Sequence, residues 1–224
     1  MFDSILTFIS LKIISPCKWT FIKFFFTGRA YDLDAVDREH ARDLMSSNVL
    51  LWVSRRDTHL TTYLISLGDF LLSLKVWIKN GFKGKKPRWG FWSHAFFNYD
   101  NNEIVEAVAK GVQRHYFDNA FDCDAVAALI PKNLSASEWN DLQPLIADEM
   151  LKQLGKKYDG IFDISNDDKV SCIELVRVIL RNKVHNYELK FADFETMIKL
   201  YKNVTPQMLY ESKDFKVVWE VRKK

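Results

Sequence analysis

Three cysteines, Cys17, Cys123 and Cys172, are the first residues to consider for chemistry in this chain. Cys172 stands apart because of its setting. The stretch "DDKVSCIELVRVIL" passes from acidic residues into an apolar run. Ser171 and Glu174 have the S-x-x-E spacing of a capping box, in which the serine caps a helix and the glutamate reaches back to the serine amide. Cys172 then falls in the first helical turn, where unpaired amides and the positive end of the dipole favour a thiolate. The thiolate is the nucleophilic form. Ile173, Leu175, Val176, Ile179 and Leu180 would bury the helix and hold the thiol still. The competing reading is a small core residue, since free cysteines are among the most buried residue types. Cys123 lies between two aspartates in "FDCDAV", which oppose a thiolate, and Cys17 lies in an apolar stretch.

A thiolate needs a base, normally histidine, and a group that orients it. The chain has five histidines. His40, in "DREHARD", and His59 and His185, beside charged or polar residues, read as solvent-facing. His115 follows Arg114 near a strand end. His94 differs, because it sits inside the aromatic run "FWSHAFF". That run and "EIVEAVA" are β-prone and flank the turn-forming "NYDNN", which is a hairpin pattern. If the hairpin turns symmetrically about Asp100, Phe96 faces Ile104 and His94 faces Glu106, with Cβ atoms roughly 5 Å apart. A one-residue bulge would separate the pair. A cross-strand ion pair, or a histidine bonded to a backbone carbonyl, is the structural alternative.

The elements that must position these groups read as α+β. The chain has 224 residues, 48% hydrophobic and 27% charged, enough for one well-cored domain with an appended arm. Residues 32 to 48 look helical. Residues 49 to 67 fit helix or strand. "GDFLLSL" reads as a turn and a short buried strand, and "KNGFKGKKPRWG" as a basic loop. "GVQRHYF" continues the second hairpin strand. Helices follow at 141 to 155, ending at Gly155, at 171 to 181, in "FADFETMIKLYKN", and after Thr205 and Pro206. "FKVVWEV" is a closing strand. Strands flanked by helices in sequence predict an antiparallel sheet packed against helices.

The first 30 residues, rich in Phe, Ile and Leu, are interrupted by Lys12, Lys18 and Lys23. No uncharged run approaches the ~20 residues of a membrane span. No basic start or small-residue cleavage site marks a secretory signal. Two short helices are expected there, with Asp3 and then Ser15–Pro16 as starts and Gly28 as a stop. They either pack on the core or lie on a membrane surface through residues 1–27. A cytoplasmic or peripheral-membrane location follows. The odd, sparse cysteines suit a reducing compartment, and they carry no zinc-type spacing. The net charge of +3 argues against a nucleic-acid binder.

In the order "GDFLL", "SHAFF", "EIVEAVAKGV", "GKKYDGIFD", "SCIELV", "TPQMLYES", the chain resembles the circularly permuted papain-like cysteine hydrolases of the NlpC superfamily, the YiiX-like branch. In these the histidine strand precedes the cysteine helix. The resemblance covers about residues 66 to 213. It implies a papain-like hydrolase domain over 66–224 and a hydrophobic helical extension over 1–65. It implies Cys172 as nucleophile, His94 as general base and Glu106 as the orienting third member. Tyr158 matches a family tyrosine near the active site, and Ser171 and Trp92 are expected beside it in the substrate pocket. Val170 and Ser171 stand where the family usually has an aromatic before the cysteine motif. The implied reaction is acyl transfer on a peptide or cell-wall-type amide, with no metal or cofactor. More distantly, the chain resembles lecithin retinol acyltransferase, which uses the same permuted scaffold on acyl lipids. That family has a histidine as third member, and Glu106 favours the amidase branch. A non-catalytic binding module is the remaining class, with Lys83, Lys85, Lys86 and Arg88 meeting an anionic partner.

Overall fold

The short apolar runs in "LWVSR", "HAFFN", "EIVEAV" and "AVAALIP" form strands that are buried on both faces, since the sheet is covered on each side. The computed structural model describes residues 33–47, 49–55, 60–83, 86–100, 102–121, 123–160, 168–184, 191–201 and 205–222. The helices expected within residues 1–30, Cys17, His59 and His185 lie outside them. In chain order the elements are α1 (Ala35–Ser47), β1 (Leu51–Arg55), α2 (Leu60–Lys79), β2 (His94–Asn98), β3 (Glu103–Val108), β4 (Gly111–Tyr116), α3 (Phe117–Ala120) and β5 (Ala125–Pro131). There follow α4 (Ala136–Gln153), β6 (Lys157–Tyr158), β7 (Lys169–Val170), α5 (Cys172–Val184), α6 (Ala192–Tyr201), α7 (Pro206–Glu211) and β8 (Phe215–Arg222). The architecture is α+β.

Six strands form one sheet in the order β4-β3-β2-β1-β5-β8, with every described pairing antiparallel. Helices α4 and α5 pack on the face that carries Leu51, Val53, Ala95, Phe97 and Val105. Helices α1 and α3 close the other face over Trp52, Phe96, Ile104 and Ala128. β1 lies inside the sheet, between β2 and β5. A boundary at residue 65 would therefore cut helix α2 and leave an interior strand outside the domain. The sheet does not divide there.

Three expectations change with the tertiary structure. "GDFLLSL" is helical and continues α2, a Leu-rich helix of 20 residues. Leucine is a strong helix former, and the run lacks the β-branched residues that favour strands. The hairpin register is also offset. Phe96 pairs Glu106, Phe97 pairs Val105 and Asn98 pairs Ile104. The Asp100 carboxylate accepts from the amides of Asn102 and Glu103, both at 2.8 Å, which moves the turn centre past Asp100. "GVQRHYF" does not continue β3. It returns as β4 after a tight turn at Ala109 and Lys110, with Val108 paired to Gly111. Gly111 has φ of 106°, and a Cβ there would meet the Lys156 carbonyl oxygen at 2.4 Å.

Candidate functional site

The start of α5 follows the capping rule that its sequence implies. Glu174 accepts from the Ser171 amide at 2.7 Å, and the Ser171 hydroxyl accepts from the Glu174 amide at 3.4 Å. Cys172 is the first helical residue and is 1% exposed. Its amide belongs to the first turn, where helical geometry offers no partner along the chain. Just before it, β7 pairs with β6 in a short parallel ladder, Tyr158 beside Val170. The Asp159 amide donates to the Val170 carbonyl. This ladder brings Tyr158 to the helix start.

His94 is the first residue of β2, and its imidazole hydrogen-bonds Glu106 and interacts with Cys172. Nε2 meets Glu106 Oε2 at 2.6 Å. In the observed register His94 and Glu106 are diagonal rather than directly opposed. The offset is two residues, so parity is preserved and Glu106 stays on the side of His94. A slip of one residue would have turned the carboxylate away.

Burial by itself would lower the His94 pKa. The interactions with Cys172 and Glu106, including the charges of both, overcome it and raise the imidazole to about 10. Burial would conversely raise Glu106, but its bonds and charge contacts with His94 and then His115 bring it down to about 2. The Tyr158 hydroxyl is pushed well above its usual range, first by burial and then by the charges of Cys172, Asp159 and Glu174. It therefore stays a donor.

The sequence reading passed over His115. Its Nδ1 meets Glu106 Oε1 at 2.6 Å, and its Nε2 meets Gln113 Oε1 at 2.9 Å. Glu106 thus spans two imidazoles, one per oxygen. The available signal was Gly111. Read as a tight turn, it pairs Glu106 with Gln113 and puts His115, two residues on, on the same side.

His94, Glu106 and Tyr158 line a cleft of about 320 Å³ together with Ser54, Thr62 and Ser93. Cys172 is buried and does not line the cleft, but it interacts with His94, which does. Ser171 and Trp92 do not line the cleft. Ser171 is fully buried as the cap of α5, and Trp92 is fully buried against Phe91 and Tyr210. The basic loop's Arg88 is taken up by an ion pair with Glu211.

No family model matches the chain, and no curated protein matches it. Among solved structures, the chain is similar to metalloprotein yiiX from Escherichia coli O157:H7, with a TM-score of 0.51 and 15% identity over 78% of this chain and 98% of that one. At that identity the likeness is one of fold. The fold is YiiX-like.

Proposed function

We propose that this protein is a cysteine-dependent hydrolase with Cys172 as nucleophile, His94 as acid and base, and Glu106 as the group that orients His94. The series Cys172–His94–Glu106 carries this reading: His94 interacts with the cysteine, hydrogen-bonds the carboxylate and stands at the wall of a cleft. Its chain order, histidine strand before cysteine helix, is that of a circularly permuted papain-like fold.

The Cys172 thiolate attacks a substrate carbonyl and forms a C–S bond. The Cys172 amide and the Tyr158 hydroxyl donate to the oxyanion that develops. His94 gives its proton to the leaving amine as the C–N bond breaks. It then takes a proton from water, whose oxygen attacks the thioester. The acid leaves, and the thiolate and imidazolium are restored. An imidazolium retained up to about pH 10 is the counter-ion that such a thiolate needs. Cys172 lies behind the cleft wall, so attack requires the His94 or Tyr158 side chain to shift. An amide of a peptide or cell-wall type is the first substrate class. An acyl-lipid ester or thioester is the second, favoured by α2, a strongly apolar helix that supplies Thr62 and Ile65 to the cleft.

The solved neighbour is described as a metalloprotein. The residues here do not fit a metal centre. The His94 and His115 nitrogens each bond one oxygen of the same carboxylate at 2.6 Å, so both point at Glu106 rather than at a shared position beyond it. Among the described residues no group of three or more His, Cys, Asp or Glu is placed to hold an ion. No step is assigned to one.

The test is the rate of Cys172 alkylation by iodoacetamide against pH, read by mass spectrometry. An ordinary thiol with pKa ~8.5 is only ~0.3% thiolate at pH 6. Wild-type Cys172 should react there at least about a hundredfold faster than in His94→Ala. A pH profile identical in both proteins would sink the mechanism.

A further inference from the structure

Helix α2 carries a feature that the cleft does not use. Leu64, Leu71 and Ile78, and Phe82 just beyond the helix, are each more than half exposed. At ~100° per residue they fall on one stripe, and the helical part is ~21 Å long. A surface helix normally turns such a stripe inward. Here the inward residues are others, including Thr62, Asp69 and Phe70. Phe82 adds a second observation. It holds a positive φ of 65°, uncommon for a bulky residue, directly after Gly81 at 63°. Its amide donates to the Trp77 carbonyl at 2.9 Å, and its ring meets the Trp77 indole edge-on at 4.9 Å. The backbone is bent to hold an aromatic side chain outward at the end of the stripe.

The charge around the stripe has one sign. Lys75 lies within it, and Lys79, Lys83 and Lys86 gather at its Phe82 end, all exposed. None of the four is in an ion pair with a described carboxylate. The one acid of α2, Asp69, is buried on the inward side. Apolar bulk in a strip, an aromatic at one end and unpaired lysines beside it match an interfacial helix lying on an anionic bilayer. No described helix is long and apolar enough to cross a membrane. We infer that α2 and the Gly81–Phe82 turn dock this protein onto an anionic lipid surface, with the Leu64–Leu71–Ile78–Phe82 stripe entering the headgroup boundary and the lysines meeting lipid phosphates. Thr62 and Ile65 of the same helix line the cleft, which would sit about one helix diameter, ~10 Å, behind the docked stripe. The inference does not depend on Cys172 being a nucleophile.

The experiment is flotation of the full chain with vesicles of phosphatidylcholine, with and without phosphatidylserine. Wild type should float with the anionic vesicles, and less so as salt rises. Lys75→Glu/Lys79→Glu, a change confined to exposed positions, should weaken partitioning by at least about tenfold. Leu71→Asp/Ile78→Asp should abolish it with near-ultraviolet circular dichroism unchanged. Three results would overturn the inference. Wild type does not float. Or both variants float as wild type does, which would assign binding to another segment such as residues 1–32. Or, without vesicles, Leu71→Asp/Ile78→Asp turns a dimer into a monomer, which would make the stripe a contact between copies.

Discussion

Helices α4 and α5 begin with the same device. Ser135 and Glu138 cap α4 reciprocally, Glu138 accepting from the Ser135 amide at 2.8 Å and the Ser135 hydroxyl from the Glu138 amide at 3.2 Å. Ser171 and Glu174 do the same for α5. The α4 box is solvent-exposed, and its first helical residue is an alanine. The α5 box is buried, its first helical residue is a cysteine, and a histidine interacts with that cysteine. The difference teaches that a helix start is an electrostatic opportunity and not a site. The dipole acts on whatever stands there, while solvent screening and the lack of a proton partner leave α4 chemically ordinary.

The sharpest way to test this comparison is to give α4 its own cysteine. In Ala136→Cys the introduced thiol stands at the same position after a capping box, at the same end of the dipole. At pH 6 it should be alkylated at least about tenfold more slowly than Cys172 in the same protein. Equal rates would mean that the dipole suffices and His94 contributes nothing.

The caps themselves should differ next. Glu174→Ala leaves the Ser171 amide unpaired in a buried place, which costs about 1–3 kcal/mol and loosens the first turn that holds Cys172. Glu138→Ala leaves the exposed Ser135 amide to water, which can replace the carboxylate. Thermal unfolding should show a clearly lower Tm for Glu174→Ala and a smaller shift for Glu138→Ala. Comparable shifts would erase the distinction between the two boxes.

The smallest expected effect is in the pH dependence of stability. His94 is raised from its usual 6.5 to about 10, so its contribution is complete below pH 6.5 and is lost as pH rises through 10. Glu106 is lowered from 4.5 to about 2, so its contribution is complete above pH 4.5 and is lost as pH falls through 2. Denaturant unfolding of the wild type should therefore weaken between pH 6.5 and 10, by at most a few kcal/mol because the imidazole is 25% exposed. His94→Ala should flatten that limb. An unchanged slope would remove the ion pair from the account.

Local chemistry carried much of this protein in readable form. The Ser171–Glu174 box needs only residues three apart, so the sequence determined where α5 begins and that Cys172 leads it. Thr205 and Pro206 start α7 for the same reason, the Thr205 hydroxyl accepting from the Met208 amide. The β-prone runs on either side of "NYDNN" likewise marked β2 and β3, and their parity marked the side of the sheet that Glu106 takes. Tertiary structure decided everything that depended on distant partners. It set the register through the Asp100 turn, turned "GDFLLSL" into part of α2, and placed β1 between β2 and β5. It also withdrew Trp92 and Ser171 into the core and brought His115 onto Glu106. The physical reason is the range of the interactions. A cap is satisfied by a neighbour a few residues away, whereas strand pairing, burial and the meeting of Cys172 with His94 depend on which segments of a long chain pack together.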